Sequence, residues 1–418
     1  MTHESAPWPH RVLQVRALRE AGHRPTPFRQ YVLKVHSRCN LACDYCYVYR
    51  AADQRWRAQP PRMDRTIVRR TIERIAEHAS VHKLAQVQIV LHGGEPLLAG
   101  ADLLSDLAGL ARATIASAVD LSLQTNGVLL TEDMLGCLAT HRIRVGVSLD
   151  GGPGATDRHR SYPSGRGTYA AVAHALRLLR QDRFRHCYGG ILATVDLAND
   201  PVETYESLLA FEPPTLDFLL PHGTWSAPPP GRDPGSVRTP YSDWLLAVFD
   251  RWYSAPAQET SIRLFEEIIR IMLGGSAGTE LIGLRPSALV VVETDGSIKQ
   301  VDSLSVAYQE AADLGLNVLD HSFDAALDHP TTVARQIGLE ALAPACAACP
   351  VRQVCGGGFY PHRYRAGAGF RNPSVYCPDL LQTITRIRHR VGNDLAALLA
   401  GTRASGGRSE RLDVDVDT

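Results

Sequence analysis

Cys39-Asn40-Leu41-Ala42-Cys43-Asp44-Tyr45-Cys46 is the stretch on which the reading of this chain turns. It sets three thiols within eight residues, spaced Cys-x3-Cys-x2-Cys, directly after the apolar run Tyr31 to Val35. A short irregular loop can wrap three thiolates around three corners of a 4Fe–4S cube, which leaves the remaining iron without a local protein ligand. An iron with an open position can bind a substrate or cofactor directly, as the open site of a catalytic zinc does. A zinc site or free thiols are the competing readings. Zinc favours paired Cys-x2–4-Cys units with a further ligand close by, and no His or Cys follows this loop within reach.

Outward from that loop, strand and helix patterns alternate. Strand-like runs are Tyr31–Val35, Val87–Leu91, Leu121–Gln124, Val145–Leu149, Ile191–Val195 and Leu216–Leu220. Helical periodicity occupies the gaps: Arg65–His82, with Val68, Ile72 and Ile75 on one face, then Leu103–Ile115, Glu132–Leu138, Tyr169–Leu179 and Val202–Ala210. Six strands alternating with helices predict an α/β fold, a partial (β/α)6 TIM-like barrel over 29–225. Chemistry in such barrels gathers at the C-terminal strand ends, where the thiol loop stands. Residues 1–28 read as a polar, proline-broken lead-in, and 226–283 as a loop with two helices. A second unit over 284–400 opens with a hairpin turning at Asp295-Gly296 and closes with a helix over Pro378–Leu399. The small polar tail, 401–418, reads as disordered.

The 418 residues carry 44 Lys plus Arg against 44 Asp plus Glu, so no global field points to nucleic acid. No stretch approaches the ~18 apolar residues of a membrane span. Seven of the nine cysteines lie in two tight groups, which fits a reducing cytoplasm and metal binding better than disulfides. Cys137 and Cys187 stand alone among apolar residues and read as core thiols.

Further chemistry sits at the strand ends. Gly93-Gly94-Glu95-Pro96 ends the second strand, where glycines allow close backbone approach and Glu95 offers a carboxylate to an ammonium group. Asn126-Gly127 follows the third strand, Ser148 and Asp150 the fourth, and Asp157 and Arg160 come next. Cys346-x2-Cys349-x5-Cys355 with Cys377 forms the second thiol group, and on spacing alone zinc remains open there.

Taken together these segments resemble the radical S-adenosylmethionine (SAM) enzymes. The Cys-x3-Cys-x-aromatic-Cys loop, with Tyr45 as the aromatic, matches their signature at every fixed position. The resemblance implies that Cys39, Cys43 and Cys46 hold a 4Fe–4S cluster that binds SAM. It further implies that Gly93, Gly94 and Glu95 meet the methionyl amine, Ser148 or Asp150 the ribose, and Arg160 the methionyl carboxylate, with Tyr45 and Asn126 alongside. The family segment usually reads His-Asp-x-x-Arg, and Thr156 stands at its first position here.

The second thiol group resembles the SPASM extension of peptide-modifying radical SAM enzymes, whose full form has seven cysteines and two auxiliary clusters. Two of its positions are changed here: Val301 stands five residues after Gly296, and Phe359 four after Cys355, where the family has Cys. The resemblance therefore implies one auxiliary 4Fe–4S cluster on Cys346, Cys349, Cys355 and Cys377, two clusters in all. Leu216 to Trp225 and Cys355 to Tyr364, with Asn372 to Cys377, look like the cyclophane-forming maturases of the FxsB type. That subgroup joins an aromatic ring carbon to a neighbouring side-chain Cβ in a ribosomally made precursor peptide. An electron donor such as flavodoxin or ferredoxin is implied. Asp302, next to Val301, is the candidate base for rearomatisation; an ordinary strand-end carboxylate is the other reading. Thioether formation, epimerisation and formylglycine-generating sulfatase maturation are the alternative reactions on this scaffold.

Overall fold

The computed structural model describes residues 8–9, 12–233 and 235–406. Seven parallel strands run side by side in chain order: β1 (Gln30–His36), β2 (Gln86–Gly93), β3 (Ala118–Thr125), β4 (Arg144–Ser148), β5 (Tyr188–Thr194), β6 (Thr215–Leu219) and β7 (Ser261–Ile262). The two residues of β7 are too few for any periodicity to announce, and they pair with β6 at Thr215↔Ser261 and Leu216↔Ile262.

Period-two alternation sorts each strand's side chains. On β1, Tyr31, Leu33 and Val35 are fully buried, and they share one core with Ile89 and Leu91 of β2 and with the helices Arg65–Val81 and Gly100–Thr114. Leu104 and Leu107 of the second helix are fully buried there; truncating such a leucine to alanine costs ~2–5 kcal/mol. On the opposite face Gln30, Gln88 and Asp120 line the lumen together with Leu192 and Leu219. The helices start where their caps dictate. Asp64 accepts from the Thr66 amide, Thr131 from that of Met134 and Asp200 from that of Glu203.

The C-terminal part is not a separate layer. Strand β8 (Leu289–Val292) pairs parallel with β1, from Gln30↔Leu289 to Leu33↔Val292. Strands β9 (Ser297–Lys299) and β10 (Asp313–Asn317) then continue antiparallel, so all ten strands form one sheet ordered β10-β9-β8-β1 through β7. The expected boundary at 283/284 thus falls between segments that share a sheet. The lead-in is also less peripheral than its polarity suggests. Helix Val15–Glu20 buries no residue, yet Trp8 packs with Leu304, Tyr360 and Phe370, and Phe28 is 1% exposed. The closing helix runs from Cys377 to Gly406, beyond the expected start of the tail, and 407–418 lie outside the described residues.

His78 and His82, one turn apart, meet Asp324 of the C-terminal part: His78 Nδ1 and His82 Nε2 lie 2.9 and 2.6 Å from its Oδ1. The Phe28 amide donates to His78 Nε2 at 3.1 Å, so the neutral ring carries its proton on Nδ1, toward Asp324. That tautomer makes the trio a clamp between the two parts of the chain, with no free lone pair at Nδ1 for a metal. No helix among the described residues is long and apolar enough to cross a membrane.

Candidate active site

The thiol loop leaves β1 and is held against the end of β2 by glycine. Gly93 has φ of 153°, and a Cβ there would lie 2.1 Å from the His36 carbonyl oxygen; one on Gly94 would lie 2.4 Å from that of Arg38. Cys39, Cys43 and Cys46 line one cavity of about 220 Å³, together with Tyr45, Gly93, Gly94, Asn126, Ser148, Asp150 and Arg160. Seven of the eight residues expected to meet SAM therefore surround the three thiols. Burial pushes the Cys39 thiol up to about 12, with the Leu41 amide opposing it. Burial also raises Cys43, against the pull of the Arg160 charge.

Hydrogen bonds lock this wall. Tyr45 donates its hydroxyl hydrogen to Asp150 Oδ2 and accepts from Arg160 Nη1 at 2.9 Å, while Asp150 Oδ1 accepts from the Thr194 amide at 2.9 Å. Gln124 donates to Ser148 Oγ at 3.0 Å, and Asn126 Nδ2 reaches Asn40 Oδ1 at 2.8 Å and Cys39 Sγ at 3.7 Å. Arg160 is 6% exposed, and its Nε has no hydrogen-bond partner. An unpaired buried guanidinium donor at the cavity wall fits a carboxylate, as the methionyl end of SAM provides.

Glu95 is the residue of the eight that the structure places elsewhere. It is fully buried behind the cavity, where its carboxylate accepts from the Leu97 amide at 3.0 Å, Thr125 Oγ1 at 2.7 Å and the Asn126 amide at 2.8 Å. Burial raises its pKa, and these donors work against the rise. Its visible task is to fasten β3 to the Gly-Gly turn. Asp157 likewise points away and accepts from the amides of Thr168 and Tyr169 at the start of the helix Tyr169–Leu179.

A larger cavity, about 960 Å³, extends through the lumen from Gln30 and Gln88 to Asp302, and Tyr47, Leu192, Leu219 and His222 line both spaces. Asp302 stands where they approach each other, with a side chain 14% exposed and Lys34 Nζ 3.1 Å away. Tyr47 donates to its Oδ2 at 3.5 Å, and His92 Nδ1 lies 3.9 Å off. Burial is the largest influence and pushes the carboxyl up, but the charge and hydrogen bond of Lys34 together with His92 outweigh it and hold Asp302 at about 2. Lys34 is shared with Glu293, which also binds Lys299, both at 3.3 Å. Burial holds His222 at about 4 and lowers His92 and His362; His222 lines both cavities and His92 the smaller one, near Asp302. Tyr47, His92 and His222 were not singled out from sequence. His92 precedes the Gly-Gly turn, Tyr47 adjoins the last thiol and His222 ends the sixth strand's motif, but only the fold joins them.

Cys346, Cys349, Cys355 and Cys377 line a further cavity of about 60 Å³, closed by Val351, Pro373 and Leu381. Burial pushes Cys355 up to about 12 and raises Cys346 and Cys377. Four converging thiols, with no His or carboxylate in that wall, suit a fully protein-ligated cluster.

Residues 33–208 match the family model described as the radical SAM superfamily. A serine-type anaerobic sulfatase-maturating enzyme of Klebsiella aerogenes is 25% identical over 357 residues, 82% of each chain. A cysteine-type enzyme of Clostridium perfringens is 26% identical over 288 residues, 66% of this chain and 74% of that one. In fold, the chain is similar to native anSMEcpe with bound AdoMet and Cp18Cys peptide, at TM-score 0.74 and 22% identity, over 88% of this chain and 99% of that one. Streptococcus suis SuiB bound to precursor peptide SuiA is more distant, at TM-score 0.53 and 14% identity, over 85% and 77%. Residues 33–208 thus match the radical SAM superfamily model, and the chain shares the fold of the solved sulfatase-maturating enzyme.

Proposed function

We propose that this chain is a peptide maturase that forms a cyclophane, joining an aromatic ring carbon to a side-chain Cβ in a ribosomally made precursor. Cys39, Cys43 and Cys46 hold the SAM-binding 4Fe–4S cluster, and Arg160, Asn126, Ser148 and Asp150 bind and orient SAM. When bound, that cluster and SAM supply a 5′-deoxyadenosyl radical by reductive cleavage. Cys346, Cys349, Cys355 and Cys377 hold one auxiliary cluster of the SPASM type, with Val301 and Phe359 at two of the family's missing ligand positions. A flavodoxin- or ferredoxin-type protein is the expected electron donor.

The observation that carries this reading is the lumen itself. A cavity of about 960 Å³ reaches an ionised carboxylate, Asp302, beside the walls that enclose the SAM space. That is the upper end of the volume range of a small-molecule pocket and leaves room for a peptide segment. Solved structures of similar fold hold peptides, which supports the same substrate class. In the net reaction one Cβ–H and one ring C–H bond break and one C–C bond forms: the Cβ hydrogen would leave in 5′-deoxyadenosine, and the ring adduct would give one electron to the auxiliary cluster and one proton to a base. Asp302 receives the ring proton. Its low pKa makes it a weak base, but an oxidised ring adduct is a strong acid, so an ionised, correctly placed acceptor suffices.

The names of the curated relatives favour a second reading, oxidation of a Ser or Cys to formylglycine on a sulfatase. Co-expression with candidate precursor peptides that carry an aromatic residue, followed by tandem mass spectrometry, separates the two. A cyclophane weighs two hydrogens less, resists hydrazide reagents and disappears when the aromatic residue is replaced by Leu, while 5′-deoxyadenosine still forms. A hydrazide-reactive product that survives that replacement overturns the proposal.

A further inference from the structure

Behind the four-thiol cavity lies a buried cation. Gly356, Gly357 and Gly358 follow Cys355 with φ of 58°, 81° and 71°, three left-handed residues in succession that glycine alone takes without strain. This coil aims two carbonyls at Arg363: Nη2 donates to Gly356 O and Gly358 O at 2.6 Å each, and Nε to Gly358 O at 3.2 Å. A Cβ on Gly357 would lie 3.0 Å from the guanidinium carbon, so the coil presses directly on that group. The Tyr360 ring lies 5.6 Å from the same carbon. Arg363 is 8% exposed.

Its charge has no carboxylate. Among the described residues, the buried cations Lys34, Lys299 and Arg232 form ion pairs, and Arg160 reaches Asp150 through Tyr45. Arg363 has backbone carbonyls, the Tyr360 ring and the nearby thiols of Cys355 and Cys346. Its charge acts on Cys346 and Cys355 and draws both toward ionisation against burial. A buried cation is tolerated when an anion balances it. Neutral thiols provide none, whereas four thiolates around an iron–sulfur core carry net negative charge.

We infer that Arg363 is the fixed counter-charge of the group held by Cys346, Cys349, Cys355 and Cys377, and that it raises that group's reduction potential. The inference rests on the reading of this site as a 4Fe–4S cluster. One-electron reduction adds a negative charge to the thiolate-bound core, and a fixed cation at close range in a water-poor site favours that state. The three-thiol site has a weaker equivalent, because Arg160 beside Cys43 is already offset by Asp150. Arg363 acts through its field and touches no substrate, so it is a positioning residue.

The test uses the full chain with Cys39, Cys43 and Cys46 changed to Ala, reconstituted anaerobically with iron and sulfide. Potentials are read by dye-mediated redox titration followed by EPR. Arg363→Gln removes the charge and keeps a donor; Arg363→Lys keeps the charge. The reduction equilibrium constant of the Gln variant is expected to fall at least tenfold, a shift of about 59 mV to lower potential for one electron, with the Lys variant within a third of that of the parent. Iron retained in the Lys variant but lost from the Gln variant also supports a required charge. Equal potentials in all three proteins overturn the inference, and so does loss of iron from both variants, which assigns Arg363 to loop structure alone. About one zinc per chain in place of iron overturns the cluster reading and this inference with it, and is distinguishable by metal analysis.

Discussion

The two thiol groups are built on opposite plans. The first is a loop of three thiols on a cavity of about 220 Å³ whose wall carries the polar groups of Asn126, Ser148, Asp150 and an Arg160 with an unused donor. The second gathers four thiols on about 60 Å³, closed by Val351, Pro373 and Leu381 and backed by a cation without a carboxylate. A site that leaves room and unpaired polar groups is made to receive a ligand. One that supplies a complete thiol set in a smaller space fits the proposed role of holding charge. The lesson lies in the difference of one cysteine together with the surroundings each group was given.

The sharpest break of this contrast is Cys39, Cys43 and Cys46 together to Ala. About four irons should remain per chain by the ligand count, and SAM cleavage should vanish, as read by iron analysis and chromatography of 5′-deoxyadenosine. Residual cleavage in that protein would transfer the open site to the other group.

Asp302→Asn comes next. Both clusters should load and SAM should still be cleaved, while crosslinked peptide falls at least ~10-fold relative to 5′-deoxyadenosine, the low side of what a positioned base contributes. Unchanged coupling removes Asp302 from the reaction, and loss of iron makes it a cluster-supporting residue. Asp302 also leaves a pH signature. Against burial, its carboxyl is held down from 3.8 to about 2 by the charge and hydrogen bond of Lys34 together with His92, so ionisation stabilises the fold above pH 3.8 and this contribution is lost as pH falls through about 2. Roughly 2 kcal/mol of stability should disappear across that window, and denaturant titrations of the Asn variant should lack this component.

Arg160→Gln removes the charge-assisted partner proposed for the SAM carboxylate. SAM affinity should drop by ~1.5–3 kcal/mol in calorimetry, with iron content unchanged. Equal affinity would leave the orphaned Nε without a ligand.

Glu95→Gln is the mildest and the most diagnostic of position. A glutamine must turn its amide nitrogen toward one of three donors, so the fold should lose ~1–3 kcal/mol while SAM affinity moves less than in Arg160→Gln. The opposite ranking would place the Glu95 carboxylate on the SAM amine, as its motif alone implies.

Glu95 shows where sequence reading stops. Its segment was legible, since three local residues define the turn, but its side-chain direction is decided by Thr125 and Asn126 of the next strand. The thiols were legible for the same reason that they matter: eight consecutive residues carry the pattern. The six longer barrel strands followed from their periodicity. Two-residue β7 had none to offer, and the parallel pairing of β8 with β1 joins segments far apart in the chain. Trp8 hid in a polar lead-in because a single aromatic has no period. His222 meets His362 at 3.4 Å across a separation of 140 residues, and no local signal announces that contact.

The central claim is that one iron–sulfur site is open to SAM and the other closed. It is tested most directly by the EPR spectrum of the reduced protein, loaded with about eight irons per chain, before and after addition of SAM. Two signals are predicted, of which one changes with SAM, and that one is missing from the protein lacking Cys39, Cys43 and Cys46. A SAM-dependent change that persists in that variant, or the presence of a third cluster signal with about twelve irons, would contradict the account.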